Sequence, residues 1–409
     1  MQKKYYLVDK MKVLQINTVS GFGSTGGICI DLANALQRQG HECYIAYGQF
    51  TTDYVNSFKV GSKLENHIHN ACSRITGKQG YFTKNGTTKL IRYIESLNPD
   101  VIHLHNLHGN YLNLELLFNY LALANKPVVW TLHDCWAFTG KCSYYTDIEC
   151  NKWQTHCNHC PQVKKYPPSI YFDRSSVMFE DKKKWFTSIE NMTIVPVSNW
   201  LAGEVRQSFL AKYPIVPIYN WIDQTIFKPS GINTRKKFGI DENKFIILSV
   251  GASWTANNNK LIDSIRLSQL ISDDMQIVLV GDTKKLDSIP ENIIHIPYVN
   301  SSKELAEIYS MGDVYVHMSV EDTFGKVIAE AMSCGTPVIV FNSTACPEVI
   351  GEGCGYVVEK RDIDAIFINI QVIKDNGKHY YTKNCIRHVQ NNFDAKQKID
   401  QTIQLYNSL

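Results

Sequence analysis

The chain has 409 residues, 44% of them apolar and 20% charged, with a formal net charge of +3. That length exceeds one ordinary core and fits two domains of common size. The small net charge gives no argument for a nucleic-acid partner, and no apolar run is long enough to span a membrane.

The opening MQKKYYLVDKMKVLQIN carries basic residues without an uninterrupted apolar stretch, so it does not read as a secretory leader. The 12 cysteines are then expected in a reducing cytoplasm, as thiols or metal ligands. Surface lysines and arginines scattered along the chain are compatible with peripheral contact at the inner face of the plasma membrane.

Residues 11–17 form a short apolar run, followed by TVSGFGSTGG and a helical spacing of Ile28, Leu32, Ala35 and Leu36 that stops at Gly40. Further strands are expected at 42–47, 101–105 and 128–132, with a helix carrying Leu114, Leu117, Leu121 and Leu123 before the last. A second series follows Pro229, with strands at 245–250, 276–280, 293–297, 314–317 and 337–341. Helices near 261–270, 304–309 and 326–334 separate them. Short buried strands alternating with helices indicate parallel sheets covered on both faces, hence an α/β chain of two Rossmann-like domains facing across a cleft. The two halves share a pattern and no sequence repeat. Domains are expected at 1–213, with a cysteine-rich insert at 135–165, and at 214–393. A last helix spans 394–409.

Four places carry chemistry. The glycines of the first loop, Gly21, Gly23, Gly26 and Gly27, would let backbone amides approach a phosphate, though their spacing is not a dinucleotide fingerprint and a flexible turn explains them as well. His133 ends a strand in VVWTLHDCW, and His105, Asn106 and His108 end another in IHLHNLHG. Strand ends are where open α/β sheets bind ligands. The competing structural roles are an imidazole satisfied by Asp134 and a helix cap at Asn106. In SVEDTFGKVIAEAMSCGTPVIV, Asp322 precedes a helix start at Gly325 and Lys326, and Glu330 lies inside the helix. The free amides between the two carboxylates make an anion site. A helix cap is the plain alternative for Asp322, as solvent exposure is for Glu330. Lastly, Cys142, Cys150, Cys157 and Cys160 are spaced C-x7-C-x6-C-x2-C, enough soft ligands for one tetrahedral structural zinc. Buried thiols and disulfides remain the alternatives.

The Asp322-x7-Glu330 block resembles the Glu-x7-Glu signature of retaining glycosyltransferases of family 4. HDCWAFTGKC, VPVSNW and GYVVEK extend the likeness over most of the chain, in a form similar to the bacterial surface-polysaccharide type. The resemblance implies a GT-B fold whose C-terminal helix returns to the first domain. It implies transfer of a sugar from a nucleotide diphosphate-sugar to a hydroxyl of a glycan or lipid-linked acceptor, without a metal cofactor for catalysis. It places His133 and Asp322 at the transferred sugar. Gly26, Gly27, Lys260, Phe324, Gly325 and Lys326 fall at the donor, and Glu330 at its ribose. His105, Asn106 and His108 are left for the acceptor side. Departures are Asp322 for glutamate, Ala252 where arginine is common, and Trp221 for glycine. The other readings are an inactive nucleotide-sugar-binding protein, a GT-B epimerase or a glycoside hydrolase.

Overall fold

The computed structural model describes residues 10–255, 258–283 and 289–409. The stretch 1–9, read above for a leader, and Ala256 and Asn257 of SWTANNNK lie outside them. The chain divides into two compact units, one of residues 1–218 with 399–409 and one of residues 219–398.

The first unit is built on β1 (Lys12–Asn17), β2 (Glu42–Tyr47), β3 (Ser57–Lys59), β4 (Val101–Leu104), β5 (Val128–Leu132) and β6 (Met192–Pro196). They form one parallel sheet in the order β3-β2-β1-β4-β5-β6. β4, β5 and β6 are buried at every position, as expected of strands covered on both faces. The second unit repeats the plan with β7 (Phe245–Ser253), β8 (Met275–Asp282), β9 (Ile293–Ile296), β10 (Val314–His317), β11 (Val338–Phe341) and β12 (Gly355–Val358). Its order, β12-β11-β10-β7-β8-β9, is the same winding read from the other edge. Each sheet reverses direction beside its first strand, between β1 and β4 and between β7 and β10. Such switch points open a crevice at the carboxyl ends of the strands.

Three strands went unread in the sequence. β3 has only three residues, β12 is half-exposed, and β6 follows a polar stretch that hides its boundary. The helices Ile363–Asn376 and Lys378–Asn392 were missed as well. The division falls after Ile218 rather than at 213/214. Backbone hydrogen bonds tie 214–218 to β6, with Val216 N donating to Ile194 O (3.0 Å) and Ile218 N to Pro196 O (3.1 Å). The helix Ala395–Asn407 begins in the second unit and ends in the first, where Tyr406 Oη meets His103 Nδ1 at 2.5 Å.

Candidate active site

In the second unit the chain leaves β10 at the switch point and turns through Gly325 into the helix Lys326–Ser333. Gly325 holds the cap position at φ 77°, and a Cβ there would meet Ile328 Cδ1 at 2.6 Å. The positive φ favours glycine, and a side chain would also have to displace the tip of Ile328. Asp322 is therefore not the helix cap.

Its carboxylate is instead fixed sideways. His317, the last residue of β10, presents Nε2 to Asp322 Oδ2 at 2.8 Å, and Tyr315 Oη meets His317 Nδ1 at 3.0 Å. Both ring nitrogens of His317 are thereby engaged, which fixes the plane of the imidazole against the Asp322 carboxylate. Burial opposes the charge on Asp322, but His317 and Lys260 outweigh it and bring the carboxyl down to about 2. The side chain remains 26% exposed. Cys346 also lies here, its ligand atom within 4.8 Å of those of His317 and Asp322, a grouping that could hold a cation. Both ring nitrogens of His317 are engaged by Tyr315 and Asp322.

Glu330 is buried, not solvent-facing. Tyr309 Oη donates to its Oε2 at 3.2 Å, and Lys326 Nζ lies 4.0 Å from Oε1. Burial raises its pKa, with Lys326 and Tyr309 pulling the other way. Lys260 sits in the first turn of the helix Asn259–Ser268, where its backbone N–H is capped by Asn258 and its charge acts on Asp322. One unit thus brings together Asp322, Gly325, Lys326, Glu330 and Lys260. Phe324 differs from expectation. Its ring is core, packed on Tyr219 (6.0 Å between centroids) and Phe393 (5.2 Å), which leaves its backbone for a ligand. The residues that reasoning from sequence missed are His317 and Tyr315. Their alternation in VYVH was read as strand, and nothing in one dimension reports that this strand end faces Asp322.

In the first unit Gly26 and Gly27 lie inside the helix Gly23–Arg38, not in the loop before it. A Cβ at Gly26 would meet Gly21 N at 3.0 Å, whereas one at Gly27 would meet nothing within 4 Å. Gly26 is thus a packing glycine whose amide is the first to be bonded within the helix, and Gly27 leaves the helix surface open.

The histidines form a chain across the strand ends. Gln15 Nε2 donates to Cys29 O at 2.8 Å, which turns Gln15 Oε1 toward His105 Nε2 at 3.0 Å. His105 therefore carries its proton on Nε2 and accepts at Nδ1 from His133 Nε2, 3.1 Å away. His133 is thus tied to His105 and lies buried at the end of β5. Asp134 does not satisfy it, being paired with His108 at 2.7 Å, while His108 Nδ1 meets Tyr166 Oη at 2.9 Å. Asn106 caps no helix. Asn113 does so for Leu114–Ala124, accepting from Leu116 N at 2.9 Å, and the Asn106 carbonyl accepts from Thr18 and Tyr111.

Burial holds these rings neutral, with His103 pushed down to about 3, His133 to about 4 and His105 well below its usual range. Unfolded, they titrate near 6.5, so below that pH the unfolded chain binds more protons than the folded one. Stability is expected to fall as pH drops from 6.5 toward 4. Thermal unfolding across this window checks it, with His105→Asn flattening the curve. A midpoint that does not move with pH contradicts neutral burial.

The four cysteines of the insert are all free thiols, and Cys142 Sγ and Cys160 Sγ stand 3.8 Å apart.

Comparison with known proteins agrees with this fold. The family model Glycosyltransferase Family 4 matches residues 28–225, and Glycosyl transferases group 1 matches residues 232–387. WcaC of Escherichia coli (strain K12), a glycosyl transferase assigned to colanic acid biosynthesis, is 23% identical over 86% of this chain and 88% of its own. The UDP-Gal:alpha-D-GlcNAc-diphosphoundecaprenol alpha-1,3-galactosyltransferase of Escherichia coli is 27% identical over 49% of this chain and 56% of its own. Among solved structures, Anabaena HepE in complex with UDP and glucose superposes with a TM-score of 0.67 at 16% identity, covering 98% of this chain and all (100%) of that one. That likeness establishes the fold. With two family models spanning most of both units, the chain belongs to the glycosyltransferases, a family 4 domain followed by a group 1 domain.

Proposed function

We propose that this glycosyltransferase moves a sugar from a nucleotide diphosphate-sugar to a hydroxyl of a glycan or lipid-linked acceptor, with retention at the anomeric carbon, in bacterial surface-polysaccharide synthesis. The observation that carries this reading is the Gly325 turn, which starts a helix between a fixed carboxylate, Asp322, and a buried one, Glu330. Helix-start amides, Lys326 and Lys260 meet the diphosphate charge as it develops on the leaving group. Asp322 holds hydroxyls of the sugar and Glu330 those of the ribose. The bond from the anomeric carbon to the diphosphate breaks while the acceptor oxygen bonds to that carbon on the same face. The acceptor proton passes to a phosphate oxygen of the departing nucleoside diphosphate. No divalent ion is needed for these steps, since amides and lysines supply the positive charge.

Support for the donor class comes from the relative named for UDP-galactose and from the fold shared with a UDP-bound protein. The same relative, named for a diphosphoundecaprenol acceptor, supports a lipid-linked one. No helix among the described residues is long and apolar enough to cross a membrane, so we place the protein at the inner face of the plasma membrane as a peripheral enzyme. Thermal-shift screening against nucleoside diphosphates and their sugars tests the donor. A ligand at 100 times its Kd stabilises the native state by about 2.7 kcal/mol, a rise of several degrees. No shift with any nucleotide overturns the donor assignment, and binding to all donors without transfer leaves an inactive binder.

A further inference from the structure

The segment 139–174 holds only one short helical turn, Lys152–Gln154, and packs around Phe138, Tyr145 and Trp153. An irregular stretch of that length with so few large apolar side chains needs a further fastening. Cys142, Cys150, Cys157 and Cys160 lie within it. The 3.8 Å between Cys142 and Cys160 sulfurs is too long for a disulfide but matches the edge of a tetrahedron with Zn–S bonds of about 2.3 Å, which is about 3.8 Å. Backbone amides point at two of the sulfurs, Gly140 N at Cys157 Sγ (3.2 Å) and Gln162 N at Cys160. A side chain at Gly140 would block that approach, since its Cβ would lie 2.8 Å from Cys157 Cβ.

Two buried lysines make the stronger case. Lys182 donates to the carbonyls of Trp136 and Thr139, and Lys141 to those of Gln162, Val163 and Lys165. Both are almost wholly buried, and neither forms an ion pair among the described residues. Asp134, within electrostatic reach of Lys182, is already held by His108. Cys157 and Cys142 lie within electrostatic reach of Lys182, and Cys142 and Cys160 within that of Lys141. Asp173, also within reach of Lys141, is already held by the backbone N–H groups of Cys160 and Ser175. Buried cations with no carboxylate in direct contact are favoured by a further anion nearby. A zinc ion bound by four thiolates carries a net charge of −2, matching the two ammoniums.

We propose that Cys142, Cys150, Cys157 and Cys160 bind one structural zinc ion that fastens the insert. No third sulfur lies within 4.8 Å of both Cys142 and Cys160, so metal binding draws Cys150 and Cys157 inward over the turns between them. The benefit reaches His108, because Tyr166 of the segment 139–174 bonds it.

Element analysis of the full chain, purified under reducing conditions without chelator, is expected to find about one zinc per chain. The Cys142→Ser/Cys160→Ser pair should bring it below roughly one-tenth of that, as loss of half the ligands requires. Should that variant fail to fold, mercurial titration of the unaltered protein is the second measurement, with zinc release expected in step with a protected group of thiols. Zinc-free protein whose four thiols alkylate freely overturns the proposal, as does a Cys142–Cys160 disulfide. Full zinc retained in the double variant also overturns it and moves the metal elsewhere, the grouping of His317, Asp322 and Cys346 included.

Discussion

Asp322→Ala is expected to lower kcat for sugar transfer by roughly 100-fold, the scale of losing one preorganised polar group at the reacting centre, while nucleoside diphosphate affinity changes little. The reason is placement. Asp322 stands ahead of the Gly325 turn, and its carboxylate is aimed by His317 and Tyr315, a geometry that a helix cap would not need. His317→Ala should reduce transfer less, because the carboxylate stays and only its orientation is lost. Steady-state kinetics with calorimetry on the same variants separates the two effects. If Asp322→Ala weakens transfer and binding equally and slightly, the carboxylate serves the loop and not the sugar. Its charge also bears on acid stability. A carboxyl brought from 3.8 to about 2 in the fold stabilises the unit above about pH 4, and that contribution is lost as pH falls toward 2.

Glu330→Ala should do the reverse, weakening nucleoside diphosphate binding by about 10- to 100-fold, the equivalent of about 1.5–3 kcal/mol for a hydrogen bond to a charged group. Glu330 is buried with one oxygen on Tyr309, and its position inside the helix leaves the other toward Lys326. Because removing it strands the Tyr309 hydroxyl, Glu330→Gln is the companion variant that keeps an acceptor there. Since burial raises the Glu330 pKa above 4.5, affinity should begin to fall at a higher pH than for an ordinary glutamate, as the neutral acid no longer accepts from both ribose hydroxyls. Calorimetry across pH with both variants checks this. Unchanged affinity in Glu330→Ala removes the residue from the nucleotide site.

The helix after Gly325 was legible because its signals are local: a glycine that must take positive φ, a cation at the first position, and apolar residues at helical spacing up to Gly335. The place of the Phe324 ring was not legible for the opposite reason. That it belongs to the core is seen only when Tyr219 and Phe393, more than 60 residues away on either side, are found against it.

By itself the sequence determined the alternation of buried strands with helices, two α/β units, the Asp322 to Glu330 block and the clustering of four cysteines, because each is a matter of spacing along the chain. Only the tertiary structure decided that Asp322 is held by His317, that His133 is tied to His105, and that two buried lysines lie within electrostatic reach of the cysteines. Those depend on which strand ends meet at a switch point, and on which proton a distant partner such as Gln15 leaves on a ring. Hydrogen-bond direction and burial pass between residues by contact in space, and spacing along the chain does not encode them.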